Sequence, residues 1–266
     1  MRDRLAKAEA FRALHAGPAF VIPNPWDAGS ARMLAALGFR ALATTSSGFA
    51  FTLGRLDGQV TLDEVVAHAE AIDRATDLPV SVDLENGYGP EPEAAARAVT
   101  RVAEAGAAGA SIEDFDRDGY LYEPALAAER IRAAAEAARA STVPFTLTAR
   151  AENHIRGNDD IGDTIARLAA YEAAGADVLY APGLRTAADI RSLCAAVARP
   201  VNVLALPGMS VAEVIEAGAQ RVSVGGGLTW VAIGAAERAA RELLERGDLS
   251  SFGGSPPPRE WFDRSG

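Results

Sequence analysis

The stretch Ser81-Val82-Asp83-Leu84-Glu85-Asn86-Gly87-Tyr88-Gly89 concentrates groups that could do chemistry. Pro79 and Val80 lead in, and polar and apolar residues then alternate with a period of two, the pattern of a strand. Ser81, Asp83 and Glu85 are expected on one face, Val82 and Leu84 on the other. Two carboxylates that close repel each other, and burying them without a partner is costly. The strand then breaks into Asn-Gly-Tyr-Gly, where glycine permits a sharp turn and close approach of a ligand. Two readings stand side by side here: a divalent cation bound at the strand end, or two acids on a solvated strand end.

The elements that must position these groups read as eight strands: Ala19–Asn24, Ala41–Ser46, Pro79–Glu85, Gly109–Asp114, Phe145–Ala151, Asp177–Pro182, Pro200–Ala205 and Arg221–Gly225. Helical patterns alternate with them at Ala28–Leu37, Leu62–Ala75, Glu91–Ala105, Pro124–Ala140, Ile161–Ala174, Ala187–Ala198, Val211–Ala217 and Leu228–Glu245, and an extra helix near Arg4–Leu14 comes first. Eightfold strand–helix alternation predicts a single α/β domain over 1–266, a (β/α)8 TIM barrel. Pro18, Pro79, Pro144 and Pro200 introduce the odd strands, and Gly38, Gly106, Gly175 and Gly218 precede the even ones, as helix-ending left-handed glycines would. The competing architecture, a doubly wound open sheet, lacks its G-x-G-x-x-G after the first strand. A loose tail starts near residue 250, and its Trp261 and Phe262 are expected to dock on a neighbouring surface.

In such barrels the site lies at the C-terminal ends of the strands. Strand parity then selects the inward set Asp83, Glu85, Glu113, Arg150 and Asn202, with Asp57 reaching over from a loop. So many acids around one arginine suit an oxygen-ligated Mg2+ (or Mn2+) that keeps several waters. Arg150 becomes a fork for a substrate carboxylate or a developing oxyanion. The turn Ser46-Ser47-Gly48 can offer backbone N–H groups to an anion or be a plain turn. Asn24 and Trp26 can wall the pocket, or Trp26 can be core beside a helix capped by Asp27. Gly225-Gly226-Gly227 reads as tight packing or as a phosphate loop. His15, His68 and Cys194 fall on helical patterns and read as structural.

Composition removes several functions. The chain has 266 residues, 49% of them hydrophobic, and a net charge of -10 without a basic run, which argues against nucleic acid and anionic membrane surfaces. No apolar run is long enough to span a bilayer. One cysteine excludes intrachain disulfides and suits a reducing cytoplasm. Lys7 is the only lysine, which disfavours Schiff-base chemistry, and three histidines make a multi-histidine zinc site improbable.

Taken together, Pro23-Asn24-Pro25-Trp26-Asp27-Ala28-Gly29-Ser30, Thr44-Thr45-Ser46-Ser47-Gly48, Asp57-Gly58, the Asp83-to-Gly89 stretch, Ile112-Glu113-Asp114, Ala149-Arg150-Ala151-Glu152 and Asn202-Val203-Leu204 resemble the isocitrate lyase/phosphoenolpyruvate mutase superfamily. The resemblance runs from about Phe20 to Glu245. It implies a barrel that binds Mg2+ and a small 2-oxo or 2-hydroxy carboxylate. Asp83 would touch the metal, Asp57, Glu85 and Glu113 would hold its waters, and Ser47 and Gly48 would bind the carboxylate through their backbone. Arg150 would contact the oxygen that becomes enolate, and Asn202 would line the pocket. A homodimer or homotetramer that exchanges its last helix is also implied. Glu85 replaces the usual aspartate, and the loop Phe115–Tyr122 lacks the lysine and cysteine of the superfamily's lyases. The expected activity is Mg2+-dependent carbon–carbon cleavage or decarboxylation. A carbon–phosphorus enzyme and a non-catalytic oxo-acid-binding barrel are its rivals.

Overall fold

The strands of the computed structural model are β1 Phe20–Ile22, β2 Leu42–Ala43, β3 Val80–Asp83, β4 Gly109–Glu113, β5 Thr146–Arg150, β6 Val178–Tyr180, β7 Val201–Leu204 and β8 Arg221–Ser223. Residues 2–254 and 256–262 are described; Ser255 and the two extreme ends of the expected 1–266 domain lie outside them. All ladders are parallel, in the order β1-β8-β7-β6-β5-β4-β3-β2. The seam between β1 and β2 is held by Ala43 N donating to Pro23 O at 3.1 Å and by Asn24 Nδ2 donating to Thr44 O at 3.1 Å. Asn24 also accepts from Val224 N at 3.0 Å, so it stitches three strand ends rather than merely walling a pocket. The result is the expected (β/α)8 barrel, nearly closed.

The helices are α1 Arg2–Ala16, α2 Ala28–Ala36, α3 Ser46–Thr52, α4 Leu62–Ala75, α5 Pro92–Glu104, α6 Pro124–Ala140, α7 Ile161–Ala174, α8 Ala187–Ala196, α9 Val211–Glu216 and α10 Gly227–Arg246. Helix α3 was not expected. Every strand is shorter than its sequence pattern, because apolar alternation continues into the loops after the ladder stops. Gly38, Gly106, Gly175 and Gly218 do adopt the left-handed conformation, with φ between 89° and 111°.

The main core lies between the outer strand faces (Val82, Ile112, Leu147, Leu179, Val203) and the alanine-rich inner faces of α5–α7. Alanine lets helix backbones approach the sheet closely. The barrel interior is instead polar, with Ser81, Thr148, Asn202 and Arg221 all buried. Helix α1 closes the N-terminal end: Phe11 packs on Phe20, Ile22, Ala41 and Ala108. The single lysine, Lys7, is spent here, donating to the Asp73 carboxylate and to Thr76 O, both at 2.8 Å.

Helix α10 behaves differently. Thr229 is its only buried residue, and Val231 and Leu244 are 69% and 86% exposed. The tail turns back as a short 3-10 turn, Arg259–Trp261, against α2; Trp261 is half-buried and Phe262 O accepts from Arg32 at 2.9 Å, while the Phe262 ring stays exposed. Among the described residues no helix is long and apolar enough to cross a membrane.

Candidate active site

Register decides which side chains meet. Glu113, Arg150, Tyr180, Asn202 and Arg221 are successive Cα partners across β4 to β8. Glu113 ends its strand whereas Arg221 begins its own, so this row descends from the barrel rim to its floor. Two cavities open on it. The inner one, about 180 Å3, is lined by Thr44, Ser46, Ser47, Asp57, Asp83, Ser111, Arg150, Tyr180, Asn202 and Arg221, among others. The outer one, about 370 Å3, is lined by Asp57, Glu85, Glu113, Arg117 and Arg156, and shares Ser46, Asp57 and Arg150 with the first.

Arg150 is the hub. Its Nη1 lies 3.2 Å from Glu113 and 3.7 Å from Asp83, its Nε bonds Glu152, and its guanidinium sits 5.4 Å from the Tyr180 ring centre. Burial works against its charge, yet Glu113, Glu152 and Asp83 hold it well above the usual arginine range. Glu113 is pushed well up by burial, with Arg150 opposing and Glu152 and Asp83 adding. Asp57 stands at the cavity mouth; burial of its carboxyl and then Asp83 raise it, and Ser46 opposes.

Glu85 reaches the site by a route other than strand parity. β3 stops at Asp83, and Glu85 takes a left-handed φ of 47°, so the two-residue period no longer aims it. Its carboxylate turns into the outer cavity and accepts from Arg117 and Tyr88, each at 3.2 Å. Burial pushes it up to about 7, Arg117 opposing and Asp83 and Asp57 adding.

The expected turn at Ser46-Ser47-Gly48 is the first turn of α3, capped by Thr45. Sequence pattern hid it because serine and glycine are weak helix formers. Ser46 and Ser47 line the inner cavity. Gly48 and Trp26 lie behind its wall: Gly48 N donates to Thr45 Oγ1 at 3.4 Å, and a Cβ on Gly48 would come within 2.6 Å of Thr229 Oγ1. Trp26 O bonds the His68 ring at 3.0 Å, beside Asp27, which caps α2. Asn202 sits where expected, its Oδ1 accepting from Arg221 Nε at 2.8 Å and its Nδ2 donating to Ser223 Oγ at 3.0 Å.

The loop after β4 folds as a small hairpin, bridged between Phe115 and Leu121. Buried Tyr122 bonds Asp116 and accepts from Asn86, which removes both from proton donation. Arg117 leans over the outer cavity, donating to Val60 O at 3.0 Å and stacking 4.5 Å from the Tyr88 ring. Sequence reasoning passed over Tyr180, Arg156 and Arg221. Extending inward parity to the end of strand six and to the entry residue of strand eight would have found Tyr180 and Arg221.

Residues 11–244 match the phosphoenolpyruvate phosphomutase family. The chain belongs to that family. Among its relatives, an uncharacterised protein of Mycobacterium tuberculosis H37Rv is 36% identical over 233 residues, 87% of each chain. Probable 2-methylisocitrate lyase 2 of Corynebacterium glutamicum is 34% identical over 73% of this chain and 65% of its own length. An oxaloacetate decarboxylase of Bradyrhizobium diazoefficiens is 30% identical, covering 74% and 70%. A crystal structure from Burkholderia cenocepacia J2315, described as a candidate lyase/mutase, superposes with TM-score 0.94 at 49% identity over 98% of this chain and 96% of that one. Oxaloacetate acetylhydrolase with its product oxalate superposes with TM-score 0.86 at 27% identity, covering 97% and 93%. The expected superfamily, with its lyases and mutases, is thus the right one.

Whether a family member with these residues can hold a divalent cation is decided by charge and spacing. Asp57, Asp83, Glu85, Glu113, Asp116 and Glu152 face Arg117, Arg150, Arg156 and Arg221, six acids against four arginines, which leaves two negative charges unmatched when all are ionised. Among the described residues no three acids, histidines or cysteines converge as direct ligands. One direct carboxylate with water-mediated neighbours fits both facts, and that is how Mg2+ prefers to bind.

Proposed function

We propose that this protein is a Mg2+-dependent carbon–carbon lyase or decarboxylase of a small 2-oxo or 2-hydroxy acid, with oxaloacetate its best substrate. The observation that carries this reading is the small polar inner cavity, in which Arg150 and Asp83 stand side by side beneath a loop without lysine or cysteine. Asp83 would hold the cation directly, and Asp57, Glu85 and Glu113 would hold its waters. When bound, the cation supplies positive charge to the substrate's 2-oxo oxygen.

The chain's own groups do the rest. The backbone N–H groups of the first turn of α3 border the inner cavity at Ser46 and Ser47, Ser46 N making only a long 3.5 Å contact with Asp83, and a substrate carboxylate would lie there. Arg150 donates to the oxygen on which charge develops, the interaction from which such sites gain most. In decarboxylation the carbon–carbon bond breaks, CO2 leaves, and the electron pair stays as the enolate. The enolate carbon then takes a proton from water, so the cleavage needs no base. This suits a loop whose Tyr122 and Asp116 are bound to each other. Arg117, tied to Val60 and Glu85, covers the outer cavity and limits water there.

The test is a panel of oxaloacetate, 2-methylisocitrate, 2,3-dimethylmalate and phosphonopyruvate, each with and without Mg2+. Release of pyruvate and CO2 from oxaloacetate, dependent on Mg2+, is expected. Efficient methylisocitrate cleavage with oxaloacetate inert would overturn the preference. Turnover of phosphonopyruvate alone would favour the carbon–phosphorus reading, for which the Arg117 and Arg156 pair offers a phosphonate partner. Turnover of none, with oxalate bound, would favour a binding barrel. For assembly, we propose that a second copy covers the apolar face of α10; a monomeric mass by light scattering would refute this.

A further inference from the structure

Arg221 opens β8 on the floor of the inner cavity and is 4% exposed. All three of its donor groups go to neutral acceptors. Nε donates to Asn202 Oδ1 at 2.8 Å, Nη2 to Thr148 Oγ1 at 3.0 Å, and Nη1 to His15 Nε2 at 3.2 Å. His15 can accept there because its Nδ1 donates to Phe11 O at 2.8 Å and because burial, helped by Arg221, keeps the ring neutral, with a pKa of about 3. Among the described residues no carboxylate lies within ion-pair distance of Arg221. Burial pulls its pKa down to about 10, so the guanidinium stays charged at neutral pH.

A buried charge without a counter-charge is destabilising, and a fold keeps one only where something offsets it. The three acceptors could each be served by neutral donors, so hydrogen bonding alone does not require an arginine. The open side of Arg221 is the inner cavity. We infer that Arg221 is a specificity-determining residue: its uncompensated charge on the cavity floor selects ligands carrying a second negative charge, and its Nε bond fixes the orientation of the Asn202 amide. Arg150 cannot fill this role, because Glu113, Glu152 and Asp83 already surround it. The inference rests on the proposed reading that the inner cavity takes a carboxylate.

The test compares a dianion with a monoanion. Oxalate and pyruvate are titrated calorimetrically into the Mg2+-loaded wild type, Arg221→Gln and Arg221→Lys, with circular dichroism to check folding. Arg221→Gln is expected to lose oxalate affinity by ~10-fold or more and pyruvate affinity by less, so the oxalate-to-pyruvate preference collapses. Arg221→Lys keeps the charge and so keeps the preference, at lower affinity for both acids. A merely structural role would weaken both ligands alike and leave the ratio unmoved. An unchanged ratio in folded Arg221→Gln overturns the inference alone. If that variant does not fold, a lost preference in Arg221→Lys overturns it. Failure of the wild type to bind either acid removes the carboxylate reading and this inference with it.

Discussion

Asp83 and Asp114 stand at the ends of neighbouring strands and face opposite sides of the barrel wall. Asp83 looks into the cavity and makes only long contacts: Glu85 N at 3.2 Å, Ser111 Oγ at 3.4 Å, Ser46 N at 3.5 Å and Arg150 at 3.7 Å. Asp114 looks outward between β4 and α7 and is saturated. It accepts from Tyr171 OH at 2.5 Å, Glu152 N at 2.7 Å and Arg167 at 3.0 Å. Burial raises its carboxyl, and those donors oppose the rise. One acid has its charge answered by the fold, while the other keeps it for something that arrives. Carboxylates of the same type and similar position thus separate into structural and functional by the tightness of their partners, a distinction that acid content alone does not reveal.

A matched pair of variants would break or sharpen that contrast. Asp83→Ala is expected to lower Mg2+-dependent turnover by on the order of 10^3-fold, as removal of a several-kcal/mol charge interaction implies. Its melting temperature should stay close to wild type, since no tight contact is lost. Asp114→Ala is expected to cost about 3–5 kcal/mol of stability, the penalty for breaking a buried pair, because Arg167 and Tyr171 lose their shared acceptor. Below its melting point the residual folded protein should still turn over. Denaturant unfolding and steady-state rates on both variants check this. Should Asp83→Ala unfold readily, or Asp114→Ala lose activity while fully stable, the assignment of roles would be reversed.

The architecture was largely legible in the sequence. Helices Leu62–Ala75, Pro124–Ala140 and Ile161–Ala174 match their patterns residue for residue, since each combines a polar cap or helix-starting proline with an amphipathic run. Asp83, Arg150 and Asn202 reached the inner cavity and Glu113 the outer one by simple parity, because each lies inside a ladder. Parity failed just beyond a ladder. Glu85 lies two residues past the last strand residue, Asp83, and its left-handed backbone turns it into the outer cavity. Helix α3 was hidden for a different reason: its seven residues are chosen for close packing, as Gly48 against Thr229 shows, and not for helix propensity. Arg221 escaped because attention to strand ends overlooks a long side chain that rises from a strand's beginning.

The smallest expected effect concerns Glu85, which lies between the two classes: it has one cation, Arg117, but also faces Asp83 and Asp57. Its pKa of about 7 in the fold, against 4.5 for an unperturbed glutamate, sets the sign of a stability effect. Between those values the folded protein binds more protons than the unfolded chain. This contribution is therefore fully present below about pH 4.5 and is lost as pH rises through about 7. The wild type without metal should lose stability relative to Glu85→Gln across that window, by about 3 kcal/mol. Added Mg2+ should shrink the difference, because a cation favours the ionised carboxylate that high pH produces. Thermal melts of both proteins from pH 4.5 to 8, with chelator and then with Mg2+, measure it. A difference that stays flat with pH in chelator would mean that Arg117 alone neutralises Glu85. The carboxylate would then belong with Asp114, as a structural acid, and not with Asp83.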